Sequence, residues 1–214
     1  MNKIIKRLIS SFLDTKLFIL YFSKYEFINK LSRFNIAPSY EFKKKLFDLY
    51  NLSDGVWVET GTYLGDSTDY LSKISKKVYS IEPSKAYFKK AQKRFMNTES
   101  VSLFYGTSEI CLDLILKKIE NKKISFWLDG HFSYGDTYEG ENHSPVLIEL
   151  DFIKKNINSF ESLNILIDDF RIFNKYYPKS EKLVLPSVDE IINWAQSNNF
   201  YWKVKRNILI MIKK

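Results

Sequence analysis

Beyond Gly55 the chain alternates between short apolar runs and longer stretches with helical spacing. Residues 56–59, 77–81, 101–105, 124–128 and 163–167 are rich in aliphatic, β-branched and aromatic side chains. Several of these runs are apolar at successive positions rather than at every second one. That pattern marks strands covered on both faces, as in a parallel sheet. Helical stretches follow each run, at 67–74, 85–96, 109–118, 145–156 and, after an irregular segment, 186–198. Parallel neighbours require such crossovers, because a tight turn cannot return the chain to the same end of the sheet. Two further β-prone runs, 200–205 and 207–212, are joined so closely that they pair as an antiparallel hairpin. The expected architecture is α/β, a doubly wound, mostly parallel seven-stranded sheet with a C-terminal antiparallel hairpin.

Upstream of the sheet, residues 1–34 mix apolar clusters with lysines and contain no Gly or Pro, which predicts one or two helices. The longest apolar run there, 17–22, is far short of the roughly 20 residues that cross a bilayer, and Asp14, Lys16 and Lys24 flank it. Asn35, Pro38 and Ser39 then punctuate the chain, and Ser39 is a candidate N-cap for a helix running to Tyr50. Residues 1–38 are therefore expected to form a basic helical arm, and 39–214 the α/β domain. Two readings of the arm stay open. It packs on the core or on a second subunit as an oligomer contact, or it lies as a basic amphipathic segment on an anionic membrane surface.

Charge sharpens that picture. The formal net charge is +8, but up to Tyr50 ten basic residues face four acidic ones, so most of the excess sits at the start of the chain. Nothing in that distribution favours nucleic acid as the partner of the α/β domain. The single cysteine, Cys111, forms no intramolecular disulfide and falls in phase with apolar neighbours, as a small core residue does. With no signal-peptide pattern at the start, the expected location is cytoplasmic, with peripheral contact at the inner face of the membrane as the variant that the arm suggests.

In a doubly wound sheet, ligands bind beyond the carboxyl ends of the strands, and here those ends are polar. The first strand leads into Glu59-Thr60-Gly61-Thr62-Tyr63-Leu64-Gly65-Asp66-Ser67-Thr68, a turn in which Gly61 permits close backbone approach to a ligand. Its spacing is neither the dinucleotide nor the phosphate-loop glycine pattern. The second strand ends at Glu82-Pro83, with the acid about 20 residues past the glycine turn, where the ribose hydroxyls of an adenosine cofactor are held. The third ends in Gly106-Thr107-Ser108-Glu109, suited to an adenine edge or to an ordinary helix start.

Taken in order, these three motifs resemble those of the catechol-type S-adenosylmethionine-dependent O-methyltransferases over residues 55–170. The resemblance implies a Rossmann-like class I methyltransferase domain. It further implies that Glu59 and the turn from Gly61 to Ser67 surround the methionine part, that Glu82 holds the ribose, and that Ser108 and Glu109 lie near adenine.

The fourth strand ends in Asp129-Gly130-His131 and the fifth in Asp168-Asp169. Three carboxylates crowded at adjacent strand ends repel one another, and a hard divalent cation with oxygen ligands removes the conflict. Asp129, Asp168 and Asp169 are the candidate metal ligands, with Mg2+ the default ion. The alternative has Asp168 and Asp169 capping a loop while Asp129 touches only the cofactor. The Asp168-Asp169 pair resembles that of macrolide-sugar O-methyltransferases, which place metal-binding acids at these strand ends. A bound metal would lower the pKa of an acceptor hydroxyl, and His131, titrating near neutrality, is the candidate general base beside Asp129. The catalytic lysine of the catechol pattern would fall at Ser133, a departure from that family.

Residues 132–144 read as a polar loop over the site, with His143 a candidate acceptor contact, and Arg171 as a candidate partner for an anionic group. The stretch from Trp127 to Ser133 resembles methyltransferases of bacterial surface-polysaccharide clusters, which implies a sugar or surface-glycan precursor as acceptor. A small aromatic diol is the alternative acceptor, and a non-catalytic adenosine-binding scaffold the alternative class. Base-flipping nucleic-acid methyltransferases carry an Asn/Asp-Pro-Pro-aromatic motif after the fourth strand, and Leu128-Asp129-Gly130-His131 lacks it.

Overall fold

The structure, a computed structural model, describes residues 37–120, 122–130, 144–174 and 185–213. The expected N-terminal arm therefore lies almost wholly outside the described residues. Helix α1 (Tyr40–Tyr50) comes first, then β1 (Val56–Thr60), α2 (Asp66–Ile74), β2 (Lys77–Glu82), α3 (Lys85–Phe95) and β3 (Val101–Tyr105). The second half runs α4 (Ser108–Lys118), β4 (Lys123–Leu128), α5 (Val146–Asn156), β5 (Ser162–Ile167), α6 (Val188–Ser197), β6 (Phe200–Lys205) and β7 (Ile208–Lys213). No helix among the described residues is long and apolar enough to cross a membrane.

The seven strands form one sheet in the order β3-β2-β1-β4-β5-β7-β6. The first five are parallel, and β7 runs antiparallel between β5 and β6, so the doubly wound sheet and its terminal hairpin are as the hydrophobic pattern predicts. Strand order reverses between β1 and β4, whose ends pair Thr60 with Leu128. In such sheets the crevice beyond the carboxyl ends at this switch point receives the ligand.

Period-two alternation splits the core into two layers. Val56, Val58, Ile124, Phe126, Leu163 and Ile165 point to the layer shared with α4 and α5, while Trp57, Trp127 and Leu166 point to the layer with α1 and α2. Phe47 of α1 sits edge-on to both indoles, with ring centroids 5.6 Å from Trp57 and 4.9 Å from Trp127.

Two polar residues inside the strands also serve that docking. Ser125 Oγ of β4 and Asn164 Nδ2 of β5 each donate to the carbonyl of Tyr50 at 2.9 Å, satisfying an acceptor that the last turn of α1 leaves without a helical donor. One residue on, Asn51 accepts from Trp57 Nε1 at 2.9 Å. These contacts set α1 antiparallel to β4 and β5, so its first turns lie over the carboxyl ends of the strands.

The element boundaries lie within two residues of the sequence reading, and three of the shifts have a visible backbone cause. Helix α2 starts at Asp66, after Gly65 in the left-handed region at φ 83°, rather than at Ser67. Helix α5 starts at Val146 with Pro145 as its N-cap (φ −79°, ψ 2°), so Ser144 does not cap it. Arg206 and Asn207 both have positive φ, 42° and 66°, and make a tight two-residue turn, which starts β7 at Ile208. Ser39 does cap α1, accepting from the Phe42 amide at 3.3 Å.

Replacing Asn164 by Leu leaves the Tyr50 carbonyl one donor and is expected to cost about 1 kcal/mol. Combining it with Ser125→Ala strands a buried acceptor and is expected to cost about 1–3 kcal/mol beyond the sum of the singles. Urea denaturation of the four proteins in the cycle checks this, and strict additivity would contradict the shared role.

Candidate active site

The turn after β1 is built on a buried carboxylate. Glu59 is fully buried. Its Oε2 accepts from the hydroxyls of Thr68, at the start of α2, and Ser80, on β2, at 2.5 and 2.6 Å. The single proton of Ser80 is thereby committed, so Thr62 donates to Ser80 Oγ at 2.6 Å. This chain ties turn, helix and neighbouring strand into one unit. Burial pushes the Glu59 pKa up, and the hydroxyls of Ser67, Ser80 and Thr68 work against that shift. Glu59 thus lies beneath the site rather than on its surface, and it positions the turn. Thr60 is buried as well and accepts from the Asp129 amide through its carbonyl at 3.1 Å and its hydroxyl at 3.2 Å.

Gly61 supplies the geometry of the turn. Its φ is 90°, its amide donates to Ile81 O at 2.9 Å, and a Cβ there would come within 2.7 Å of Asp129 O. Tyr63 follows, exposed, with φ 49° and its ring 4.6 Å from that of Tyr87. Arg94 of α3 holds the far side of the turn through Leu64 O and Asp66 Oδ1, at 2.6 and 2.7 Å.

At the end of β2 the Glu82 carboxylate accepts the backbone amide of Tyr63 on Oε2 at 2.7 Å and that of Ser84 on Oε1 at 2.8 Å. Burial raises its pKa, and the two amides oppose that. A carboxylate fixed by two amides, beside the glycine turn and followed by half-buried Pro83, is pre-oriented for hydroxyl donors. At the end of β3, the Gly106 amide donates to Glu82 O at 3.1 Å, and a Cβ on Gly106 would meet Cys111 Sγ at 2.8 Å. Thr107 is the N-cap of α4, without a side-chain cap bond, which puts Ser108 and Glu109 in its first turn. Cys111 is a buried core residue, as its phase implied.

Asp168 and Asp169 are bound to different partners. Asp168 is 3% exposed and forms an ion pair with Lys43 of α1. Asp169 adopts φ 46° and accepts from Asn207 Nδ2 at 2.6 Å, with Arg171 Nη2 at 3.4 Å. Asn207 in turn accepts the Arg171 amide at 2.7 Å, which pins this corner to the β6–β7 turn. Asp129 is half-buried at the end of β4. The expected metal trio is therefore not assembled, and among the described residues no group of three His, Cys, Asp or Glu side chains is arranged to hold a metal. Its consecutive Asp168 and Asp169 are drawn apart, one to an ammonium and the other to the hairpin. These residues do not fit a divalent ion as they stand. His131, His143 and the rest of 131–143 lie outside the described residues.

No protein-family model matches the sequence, and no curated protein matches it. Solved structures do. A Clostridium thermocellum protein described provisionally as an rRNA methylase matches with a TM-score of 0.56 at 16% identity, covering 84% of this chain and 98% of that one. A Streptococcus mutans protein described provisionally as a methyltransferase, solved in complex with SAH (S-adenosylhomocysteine), matches at 0.52 and 17%, covering 84% and 99%. A Staphylococcus aureus protein described provisionally as a caffeoyl-CoA O-methyltransferase matches at 0.51 and 14%, covering 94% and 100%. The chain has the fold of these methyltransferases.

On that methyltransferase fold, Gly61, Tyr63, Glu82, Pro83, Gly106, Thr107 and Asp129 gather around the carboxyl ends of β1 to β4, where Glu82 is buried, as are Glu59, Thr60, Thr62 and Thr68. The residue that sequence reading missed is Lys43. It belongs to a basic run, Lys43-Lys44-Lys45, yet it shares a helix face with Phe47 and Tyr50, both buried, and that phase was the available signal.

Glu59 generates a pH prediction. A carboxyl whose folded-state pKa is raised stabilises the fold below its unfolded pKa, and that contribution is lost as pH rises through the folded value. Glu59→Gln carries no such penalty. Its stability relative to the parent should therefore be higher at pH 8 than at pH 5, as read by urea denaturation at both, and parallel pH profiles would contradict a strained buried carboxyl.

Proposed function

We propose that the chain is an S-adenosylmethionine-dependent methyltransferase that transfers a methyl group to a hydroxyl of a sugar or surface-glycan precursor. The observation that carries the cofactor reading is Glu82. Its carboxylate is held by two amides at the end of β2, next to the Gly61 turn and one strand from the switch point. Support comes from the S. mutans neighbour of the same fold, whose structure holds SAH.

When bound, S-adenosylmethionine supplies a methyl group activated on a sulfonium. The chain's own residues supply place and charge. Glu82 accepts the ribose hydroxyls, the backbone of the Gly61 turn admits the methionine part, and Gly106 with Thr107 borders the adenine. Asp129, at the switch point between β1 and β4, puts negative charge beside the sulfonium. His131, following Gly130, is the candidate base for the acceptor proton. Acceptor chemistry is read from sequence resemblance, with an O-methyltransferase description on one neighbour as support.

Calorimetry with S-adenosylmethionine should show one site per chain, and Glu82→Ala should weaken it by about ten- to a hundredfold, the loss of charge-assisted bonds to ribose. Absence of heat with the parent protein would end the methyltransferase reading. A methyl-transfer screen over nucleotide sugars, oligosaccharides, catechols and ribosomal RNA then separates the acceptors, and transfer to RNA alone would overturn the sugar assignment.

A further inference from the structure

The carboxyl rim of the sheet has a cation of its own. Lys43 reaches down from α1 to Asp168, with its side chain 23% exposed and that of Asp168 3%. Its ammonium also lies 5.2 Å from the centroid of the Trp127 ring, so the indole face and the aspartate fix it from two sides. The anchors that hold α1 in register, Phe47 between two tryptophans and the Tyr50 carbonyl on Ser125 and Asn164, fix where this ammonium sits. Burial by itself would lower the Lys43 pKa. The charges of Asp168, Asp129 and Asp169, with the hydrogen bond to Asp168, outweigh it and hold the pKa above its ordinary value. All three aspartates that sequence reasoning assigned to a metal thus act on one lysine.

We propose that Lys43 is the built-in cation of this rim: its ammonium takes the place on Asp168 that a divalent ion would take, and its remaining N–H donors face the acceptor oxygen. An ammonium has three donors and one is committed to Asp168, so the chemistry suits a hydroxyl or other oxygen ligand. Asp168 is then the positioning residue that holds the lysine. The part of the proposal concerning the acceptor rests on the methyltransferase reading, whereas the displacement of the metal does not.

Manganese is the probe, titrated by thermal denaturation into metal-stripped parent protein, Lys43→Met, Lys43→Arg and Lys43→Met/Asp168→Asn. The parent and Lys43→Arg are expected to show no manganese-dependent change in Tm. Lys43→Met uncovers Asp168 beside Asp129 and should gain a rise of about 3 °C or more at millimolar manganese. The added Asp168→Asn change should abolish it. A manganese response in the parent overturns the proposal, as does a folded Lys43→Met that stays indifferent. If Lys43→Met does not fold, parent and Lys43→Arg decide alone, indifference supporting the proposal and a response overturning it. None of these titrations contains S-adenosylmethionine, so their outcome is independent of the cofactor reading. With the acceptor found in the sugar screen, transfer should survive EDTA and fall tenfold or more in Lys43→Met with partial rescue in Lys43→Arg. Loss of transfer on chelation contradicts the assignment.

Discussion

Parallel strands that all end on one side of a sheet bring their terminal side chains together, and in this chain those side chains are acids. Glu59, Glu82, Asp129, Asp168 and Asp169 all sit at or just past the ends of β1, β2, β4 and β5. Several kcal/mol of mutual repulsion and desolvation would follow if each were left bare. The structure gives four of them separate partners. Glu59 is buried on hydroxyls, Glu82 is clasped by backbone amides, Asp168 takes Lys43, and Asp169 takes Asn207 and Arg171. Much of the remaining architecture serves these pairings. The left-handed glycine turn delivers the Tyr63 amide, α1 delivers the lysine, and the β6–β7 turn delivers the asparagine.

That distribution also separates residues that hold the turn from residues that end the strands. Glu59 and Thr68 are buried and would act on a ligand only through the turn they hold. Glu82, buried but with its carboxylate fixed by two amides, and half-buried Asp129 stand at the strand ends, where the hydroxyls and sulfonium of an adenosyl cofactor would find charge already oriented.

The strands were legible because each is a run of apolar residues bounded by turn chemistry, and the identity of the strand-end acids followed from the same boundaries. The hairpin was legible from the shortness of its link. What sequence could not show was long-range pairing. Ser125 and Asn164 are polar positions inside apolar strands, and nothing near them in sequence shows that they are the donors for a carbonyl 75 and 114 positions away. Lys43 counts among the ten basic residues up to Tyr50, and 125 positions separate it from the aspartate it neutralises. The metal trio followed from crowded charge but omitted a cation supplied by an earlier helix. Asp169 further escaped it because a left-handed backbone turns its side chain toward the hairpin.

The most direct test is a crystal structure of the protein grown with S-adenosylhomocysteine and manganese, with anomalous data collected to locate the metal. The expected result is the ribose on Glu82, the homocysteine part over the Gly61 turn toward Asp129, Lys43 still on Asp168, and no anomalous peak at the rim. Manganese bridging Asp129 and Asp168 with Lys43 displaced, or the nucleoside bound away from the β1–β4 crevice, would contradict it.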